Sequence, residues 1–389
     1  MEEAVILEGV RTPIGRYGGG LRSVPAVGLG SLVIREVVER AGIRRDEVDE
    51  VVMGCCYQNG GNAYIARWAS LTAGLPVTTS AVTVNRLCGS GLQAINYAAQ
   101  EIALGSFDLC IAGGVESMST VPFLAQEMRW GARLGNVTFV DGLVAVLTDP
   151  YLGYHMGVTA ENLARDYGIT REEQDAFALE SHRRAVEAQR EGRFEREIVP
   201  VPVDKKGDVL MSDEGPRADT TMDRLSKLPS AFIENGTVTA GNASSLNDAA
   251  AALVLASRSK AEQLGIRPRA RIVAWAVAGT DPSRMGLGPV YATQKAMERA
   301  GLSLEDMDVI ECNEAFAAQI LACSKVLEWD WSKVNPNGGA IALGHPLGAT
   351  GAILMVKLLH ELERVNGRFG LATLCIGGGQ GIATIIERE

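Results

Sequence analysis

The chain repeats itself, and no other feature limits its fold so strongly. Residues 39–52 read ERAGIRRDEVDEVV and residues 298–311 read ERAGLSLEDMDVIE. Both spell a helix end, a glycine stop, an acidic link and a short apolar strand. Further on, LCIAGG (109–114) is echoed by LCIGGG (374–379). Between these landmarks stand two glycine-rich helix starts, CGSGLQAI from Cys88 and HPLGATGA from His345. The landmarks keep their order, with the offset drifting from 259 to 265 residues. Two halves of similar fold follow, each alternating strands with helices, which predicts a mostly parallel sheet covered by helices. A pseudo-twofold relating the halves would set Cys88 and His345 at related helix starts facing one another across the junction.

A segment of different character, roughly 120–243, separates the halves. It opens into an amphipathic helix, TREEQDAFALESHRRAVEAQ, where Thr170 and Glu173 read as a capping box. Alternating β-like positions around a Lys-Lys-Gly-Asp turn come next. The expected domains are 1–119 with 244–268, an inserted 120–243, and 269–389. With 389 residues, 47% hydrophobic and 22% charged, the chain has the composition of a globular protein of two or three domains.

The net charge of −10 and pI near 5.1 argue against a nucleic-acid surface. No apolar stretch approaches the roughly 18 residues of a membrane span. The first residues lack a basic stretch followed by a long apolar run, so no secretory leader is expected. Seven cysteines form an odd set without a CxxC pair, which excludes a zinc ribbon or a thioredoxin-like motif and predicts a reducing, cytoplasmic setting. No metal site is expected.

Chemistry concentrates at four places. Cys88, in TVNRLCGSGLQAI, stands at a strand-to-helix turn where free N–H groups and the helix dipole would favour a thiolate. A small buried core residue is the competing reading. His345, between Gly344 and Pro346, sits on fixed irregular backbone suited to a base, or is simply a satisfied loop histidine. Cys375 ends an apolar strand before GGGQG, where too little chain follows for a dinucleotide-binding unit. In the repeat Cys375 aligns with Cys110, so the scaffold alone could place a cysteine there. Asn313 and Glu314 follow an apolar strand at a helix entry, either capping the helix or holding a water. His182 and His360 fall on charged helices and read as surface residues, as do Arg224 and Lys227.

Taken together, Cys88-Gly89-Ser90, Asn313-Glu314-Ala315-Phe316, Gly344-His345-Pro346 and Cys375-Ile376-Gly377 resemble the four active-site signatures of the thiolase family. The likeness extends over VRTPIG, GGVESMS, MGVTAENLA and GTVTAGNAS, essentially the whole chain. It implies two βαβαβαββ halves in an α-β-α-β-α stack with an inserted α+β loop domain. It also implies acyl exchange between coenzyme A and a cysteine, forming or cleaving a 3-ketoacyl-CoA. On that resemblance Cys88 carries the acyl group, His345 activates it, and Cys375 moves the α-carbon proton. Asn313 and the N–H of Gly377 serve the oxyanions. His155, Met156, Arg217, Ala240, Ser244, Met285 and Phe316 would contact coenzyme A or the acyl group. His155 before Met156 resembles the short-chain biosynthetic branch. The resemblance further implies acyl-CoA substrates, no tightly bound cofactor, no nucleic-acid or membrane partner, and a homotetramer built as a dimer of dimers. The alternatives weighed are a longer-chain degradative thiolase, a ketoacyl synthase, and a non-catalytic acyl-CoA-binding relative.

Overall fold

The two copies of the repeat follow one plan, except that among the described residues the second has a single bridge, Ile310 to Val334, where the first has its third strand. In the first half come β1 (Ala4–Arg11), α1 (Ala26–Ala41), β2 (Glu50–Gly54), α2 (Ile65–Thr72), β3 (Ser80–Val84), α3 (Ser90–Ala103) and β4 (Leu109–Ser117). The insert follows, carrying α4 (Met156–Asp166) and α5 (Arg171–Arg190), before β5 (Asn247–Ser257) completes that half. The second half runs β6 (Ala270–Gly279), α6 (Gly288–Ala300), β7 (Val309–Cys312), α7 (Ala317–Leu327), α8 (Leu347–Arg364), β8 (Phe369–Ile376) and β9 (Gln380–Arg388). The structure, a computed structural model, describes residues 2–203 and 207–389.

The first landmark behaves as the sequence predicts. α1 and α6 both end on a left-handed glycine, Gly42 at φ 68° and Gly301 at φ 65°, a conformation glycine adopts without steric cost. Asp49 and Asp308 then each accept two backbone N–H groups at the start of the following strand, Asp49 from Asp108 and Leu109, Asp308 from Arg368 and Phe369.

The second landmark is out of structural register. Glu50 pairs with Cys110, and Val309 with Gly370, so Cys110 corresponds to Gly370 and not to Cys375. The shared LCI-x-GG string is a coincidence of strand composition. Cys375 corresponds to Val115.

The strands run β7-β8-β9-β6-β1-β5-β4-β2-β3 across one sheet. The expectation of a mostly parallel sheet is corrected, because only β2–β3, β2–β4 and β7–β8 pair in parallel. β8 and β9 are joined by three glycines, a link too short for anything but an antiparallel pair. In the first half the equivalent pair, β4 and β5, is joined instead by the insert of residues 118–246.

α3 and α8 pack on one another between the two halves of the sheet, while α1 and α2 cover one outer face and α6 and α7 the other. The stack is therefore α-β-α-β-α. The two central helices touch at small residues: a Cβ on Gly91 would come within 2.7 Å of the Ala352 nitrogen, and one on Gly351 within 2.4 Å of the Leu92 nitrogen. α8 is buried along nearly its whole length, which explains its unbroken apolar run.

The insert is tied to the body by charge. Arg11 at the end of β1 is fully buried and bonds Glu197 at 2.7 Å and Asp213 at 2.7 and 3.0 Å. The Thr170–Glu173 capping box forms at the start of α5. A short hairpin, Val201–Pro202 with Val209–Leu210, flanks the expected Lys-Lys-Gly-Asp turn, whose Lys205 and Lys206 lie outside the described residues. Among the described residues no helix is long and apolar enough to cross a membrane.

Candidate active site

The turn before α3 is strained. Leu87 holds φ 46°, an unusual conformation for a large side chain, costing about 1–3 kcal/mol. Polar side chains on both sides hold it there. Asn85 Oδ1 accepts the Leu87 N–H at 2.9 Å, and Ser90 Oγ donates to the Leu87 carbonyl at 2.6 Å while accepting the Arg86 N–H at 2.9 Å. The next residue is Cys88, which is half-buried and packs beside Leu87, Cys56, Tyr57 and Leu347.

The turn after Cys375 meets this one from the opposite half of the chain: a Cβ on Gly89 would stand 2.6 Å from Ile376 Cδ1, and the N–H of Gly377 favours the ionised form of Cys88. Burial nonetheless pushes the Cys88 thiol up to about 11, with the Gly377 and Cys88 N–H groups pulling it down and Glu116 adding to the rise. The expectation that the helix start would favour a resting thiolate is therefore corrected. Desolvation outweighs the helix end here.

Cys375 is buried at the end of β8, and burial pushes its thiol well above the usual range, with the charge of a Cys88 thiolate adding to it. The two sulfurs thus disfavour each other's ionisation. Met156, Met285 and Phe316 lie in the same apolar cluster as Cys375. Gly377 fits between Leu87 and Met156, each 3.4 Å from where its Cβ would stand.

His345 stands two residues before α8, as Cys88 stands two before α3. The two positions are not equivalent, because α8 has 18 residues against 14 in α3 and begins about a turn earlier. Its N–H donates to Asn247 Oδ1 at 2.9 Å, while Asn247 Nδ2 holds the Gly15 carbonyl at 3.0 Å. Gly344, at φ 115°, leaves no room for a side chain against Asn247.

The imidazole is buried and neutral, its pKa lowered to about 4 by burial. Nδ1 lies 2.7 Å from Thr350 Oγ1, whose own hydrogen goes to the Pro346 carbonyl at 3.2 Å. The hydroxyl therefore accepts from Nδ1–H, which leaves the lone pair on Nε2. Asn313 Nδ2 meets that Nε2 at 3.4 Å, and Asn313 Oδ1 is buried without a partner among the described residues.

Glu314 is engaged away from His345. Its carboxylate accepts from Ser181 Oγ at 2.6 Å, Asn335 Nδ2 at 2.9 Å and the Ile341 N–H at 3.2 Å. It fastens the segment leading to His345.

The remaining residues named from sequence divide into two groups. His155 caps α4 by accepting the Gly157 N–H at 3.0 Å and stacks on Phe232 at 4.8 Å, which meets Phe316 edge-on at 5.9 Å. Ser244 donates its N–H to the Ala315 carbonyl at 3.0 Å, bringing the TAGNAS segment against Asn313-Glu314-Ala315-Phe316. Arg217 and Ala240 line a cleft of about 790 Å³ between insert and body, with Arg16, Tyr17, His182 and Leu246. Cys88, His345 and Cys375 do not line this cleft. Leu246 connects the two regions, lining the cleft and packing with the Cys88 cluster.

His182 is not a surface residue. It is 7% exposed, and its Nδ1 accepts the Arg217 N–H at 3.2 Å. His360 is also partly covered, bonding the Gly9 carbonyl at 3.1 Å. Arg224 and Lys227 are exposed, paired with Asp219 and Asp223. Sequence reasoning missed Thr350, Asn247 and Phe232. Only Thr350 left a signal, five residues beyond His345 on the helix face that turns back toward it.

Residues 4–259 match the family model for the thiolase N-terminal domain, and residues 266–388 match that for the thiolase C-terminal domain. A Cupriavidus necator protein named beta-ketothiolase BktB is 55% identical over 390 residues, covering 99% of each chain. An acetyl-CoA acetyltransferase from Bacillus anthracis superposes with a TM-score of 0.98 at 48% identity, covering 100% of this chain and 99% of that one. A human mitochondrial 3-ketoacyl-CoA thiolase solved in complex with CoA superposes with a TM-score of 0.97 at 43% identity, covering 100% and 98%.

Proposed function

The chain belongs to the thiolase family, and from that membership we propose that it is an acyltransferase of the acetyl-CoA acetyltransferase and β-ketothiolase type. It joins acetyl-CoA to a second acetyl- or short acyl-CoA, giving a 3-ketoacyl-CoA and free coenzyme A, and runs in reverse as thiolysis. The observation that supports the assignment of roles is the meeting of the two glycine-rich turns, where a Cβ on Gly89 would stand 2.6 Å from Ile376 Cδ1 and one on Gly377 3.4 Å from Leu87 Cδ1, beside Cys88 and Cys375.

In the first half-reaction Cys88 Sγ attacks the thioester carbonyl as its proton passes to Nε2 of His345. The C–S bond to coenzyme A breaks and the departing coenzyme A thiolate takes the proton of Cys375, which leaves Cys375 as a thiolate and His345 as an imidazolium. A neutral His345, with its lone pair on Nε2, suits this transfer. The tetrahedral oxygen is met by the N–H groups of Cys88 and Gly377.

Acylation holds the Cys88 sulfur as a neutral thioester, so that no Cys88 thiolate opposes the charge on Cys375. Cys375 then takes an α-proton from the second acetyl-CoA. The resulting enolate oxygen rests on His345 and on a water held by the partnerless Asn313 Oδ1. The enolate carbon attacks the acyl carbon, the bond to Sγ breaks, and the proton held on His345 returns to Sγ while Cys375 keeps the α-proton, so that both thiols are restored. Each step in this scheme moves only protons and acyl carbon, so no tightly bound cofactor is required.

The cleft carrying Arg16, Arg217 and His182 suits the phosphates of coenzyme A, with the His155–Phe232–Phe316 rings and Met156 and Met285 toward the acyl end. Ala240 and Ser244 complete that path. The halves act as domains 1–119 with 244–268 and 269–389, and 120–243 as the loop domain. That segment exposes Trp130 at 92%, Leu134 at 98% and Tyr151 at 85%, which supports a homotetramer that covers them. Seven free thiols fit a cytoplasmic setting.

Mass spectrometry after mixing with acetyl-CoA tests the roles. The wild type should gain one acetyl group and Cys88→Ser none. Cys375→Ser should still acylate while losing condensation. An acetylated Cys88→Ser protein, or a fully active Cys375→Ser, would defeat the corresponding role.

A further inference from the structure

Glu116 has no part in the reaction above, yet it is 1% exposed, at the end of β4, between the two reactive segments. One carboxylate oxygen, Oε2, accepts the Cys56 N–H at 2.9 Å and the Gly348 N–H at 2.8 Å. The other, Oε1, accepts the Tyr57 N–H at 3.2 Å and faces Cys55 Sγ at 3.5 Å. Burial raises its pKa, and the N–H groups of Cys56, Gly348 and Tyr57 oppose that rise.

These partners belong to different halves. Cys56 and Tyr57 pack beside Cys88, and the Cys56 carbonyl accepts from Asn85, which also holds the strained Leu87 turn. Gly348 is the second residue of α8, three beyond His345, where a helix start favours an anion. It leaves no room for a side chain: a Cβ there would stand 2.7 Å from Glu116 Oε2 and 2.8 Å from the Cys55 Cα.

We infer that Glu116 is a positioning residue whose carboxylate sets the separation between the turn of Cys88 and the helix start that carries His345. This rests on the roles proposed for those two residues. A helix start displaced by the length of one methylene would move Nε2 from the sulfur by a distance known to cost about a hundredfold in rate. A simple packing residue would instead affect how much protein folds, leaving the folded fraction fully active.

Glu116→Asp keeps the charge and withdraws the carboxylate by one carbon. The purified tetramer or dimer, checked for native circular dichroism, should show kcat lower by about a hundredfold, with KM for coenzyme A within about threefold. Glu116→Gln keeps the length and removes the charge. It should move the pH profile of Cys88 alkylation by iodoacetamide to lower pH, because a carboxylate near the sulfur opposes its ionisation. Folded Glu116→Asp with wild-type kcat would overturn the inference. If that variant does not fold, Glu116→Gln decides it, a wild-type kcat together with an unmoved alkylation profile being the overturning result. Cys88→Ser in the same assay separates the two claims: its activity would sink the proposed roles, whereas its inactivity beside an active Glu116→Asp would sink this inference alone.

Discussion

At the scale of single residues, the tautomer of His345 is the decisive feature. A histidine whose Nδ1–H is held by Thr350 Oγ1 keeps its lone pair on Nε2 at every pH above about 4. Thr350→Val keeps the shape and deletes that acceptor, freeing the ring to adopt the other tautomer. We expect kcat to fall by about tenfold to a hundredfold with KM little changed, and Thr350→Ser to restore most of it. Steady-state kinetics of the two variants checks this, and a wild-type kcat for Thr350→Val would show that the hydroxyl is dispensable. Cys88, His345, Cys375 and Asn313 stand out in the sequence as candidates because glycine-rich turns and helix entries are where reactive side chains can be held. Thr350 and Glu116 do not, since their work lies in which atoms they meet. The state of Cys88 was misjudged for the same reason: a helix start is visible in sequence, but the desolvation that outweighs it is a property of the packed site.

At the scale of elements, the doubled pattern was half legible. A helix, a left-handed glycine, an acidic link and a strand leave a punctuated signature, so residues 39–52 and 298–311 matched correctly. Strand interiors carry no punctuation. Small and apolar residues recur wherever a central strand is covered on both faces, and LCIAGG was matched five positions out of register for that reason. The crossing of α3 and α8 is specified more tightly. Gly351→Val would drive a side chain into the Leu92 backbone, where nothing flexible can yield. Its cost should be about 3 kcal/mol or more, read as a lowered urea midpoint, while an unchanged midpoint would show that the helices can separate freely.

At the scale of the whole molecule, buried histidines couple stability to acidity. His182 and His345 have pKa values lowered to about 4 by burial, with Arg217 adding to the effect at His182, against about 6.5 in an unfolded chain. Below pH 6.5 the unfolded chain binds protons that the folded one refuses. Stability should therefore fall as pH drops from 6.5 toward 4, by about 2 kcal/mol per histidine at pH 5. Glu311, raised to about 7 by burial, titrates with the opposite sign, so the variant comparison is the clean one. His182→Gln should lose less stability between pH 7 and pH 5 than the wild type, as urea midpoints would report. Equal losses would mean that His182 stays protonatable in the folded state.

Gly377, set against Leu87 beside Cys88, lies 289 positions beyond that sulfur, counting 377 less 88 along the chain. During synthesis on a ribosome, that thiol emerges long before Gly377 exists. On the roles proposed here, a nascent or prematurely terminated polypeptide carries the acyl-accepting sulfur without the turn that completes its surroundings, and it should take no acetyl group from acetyl-CoA until the last two strands have closed.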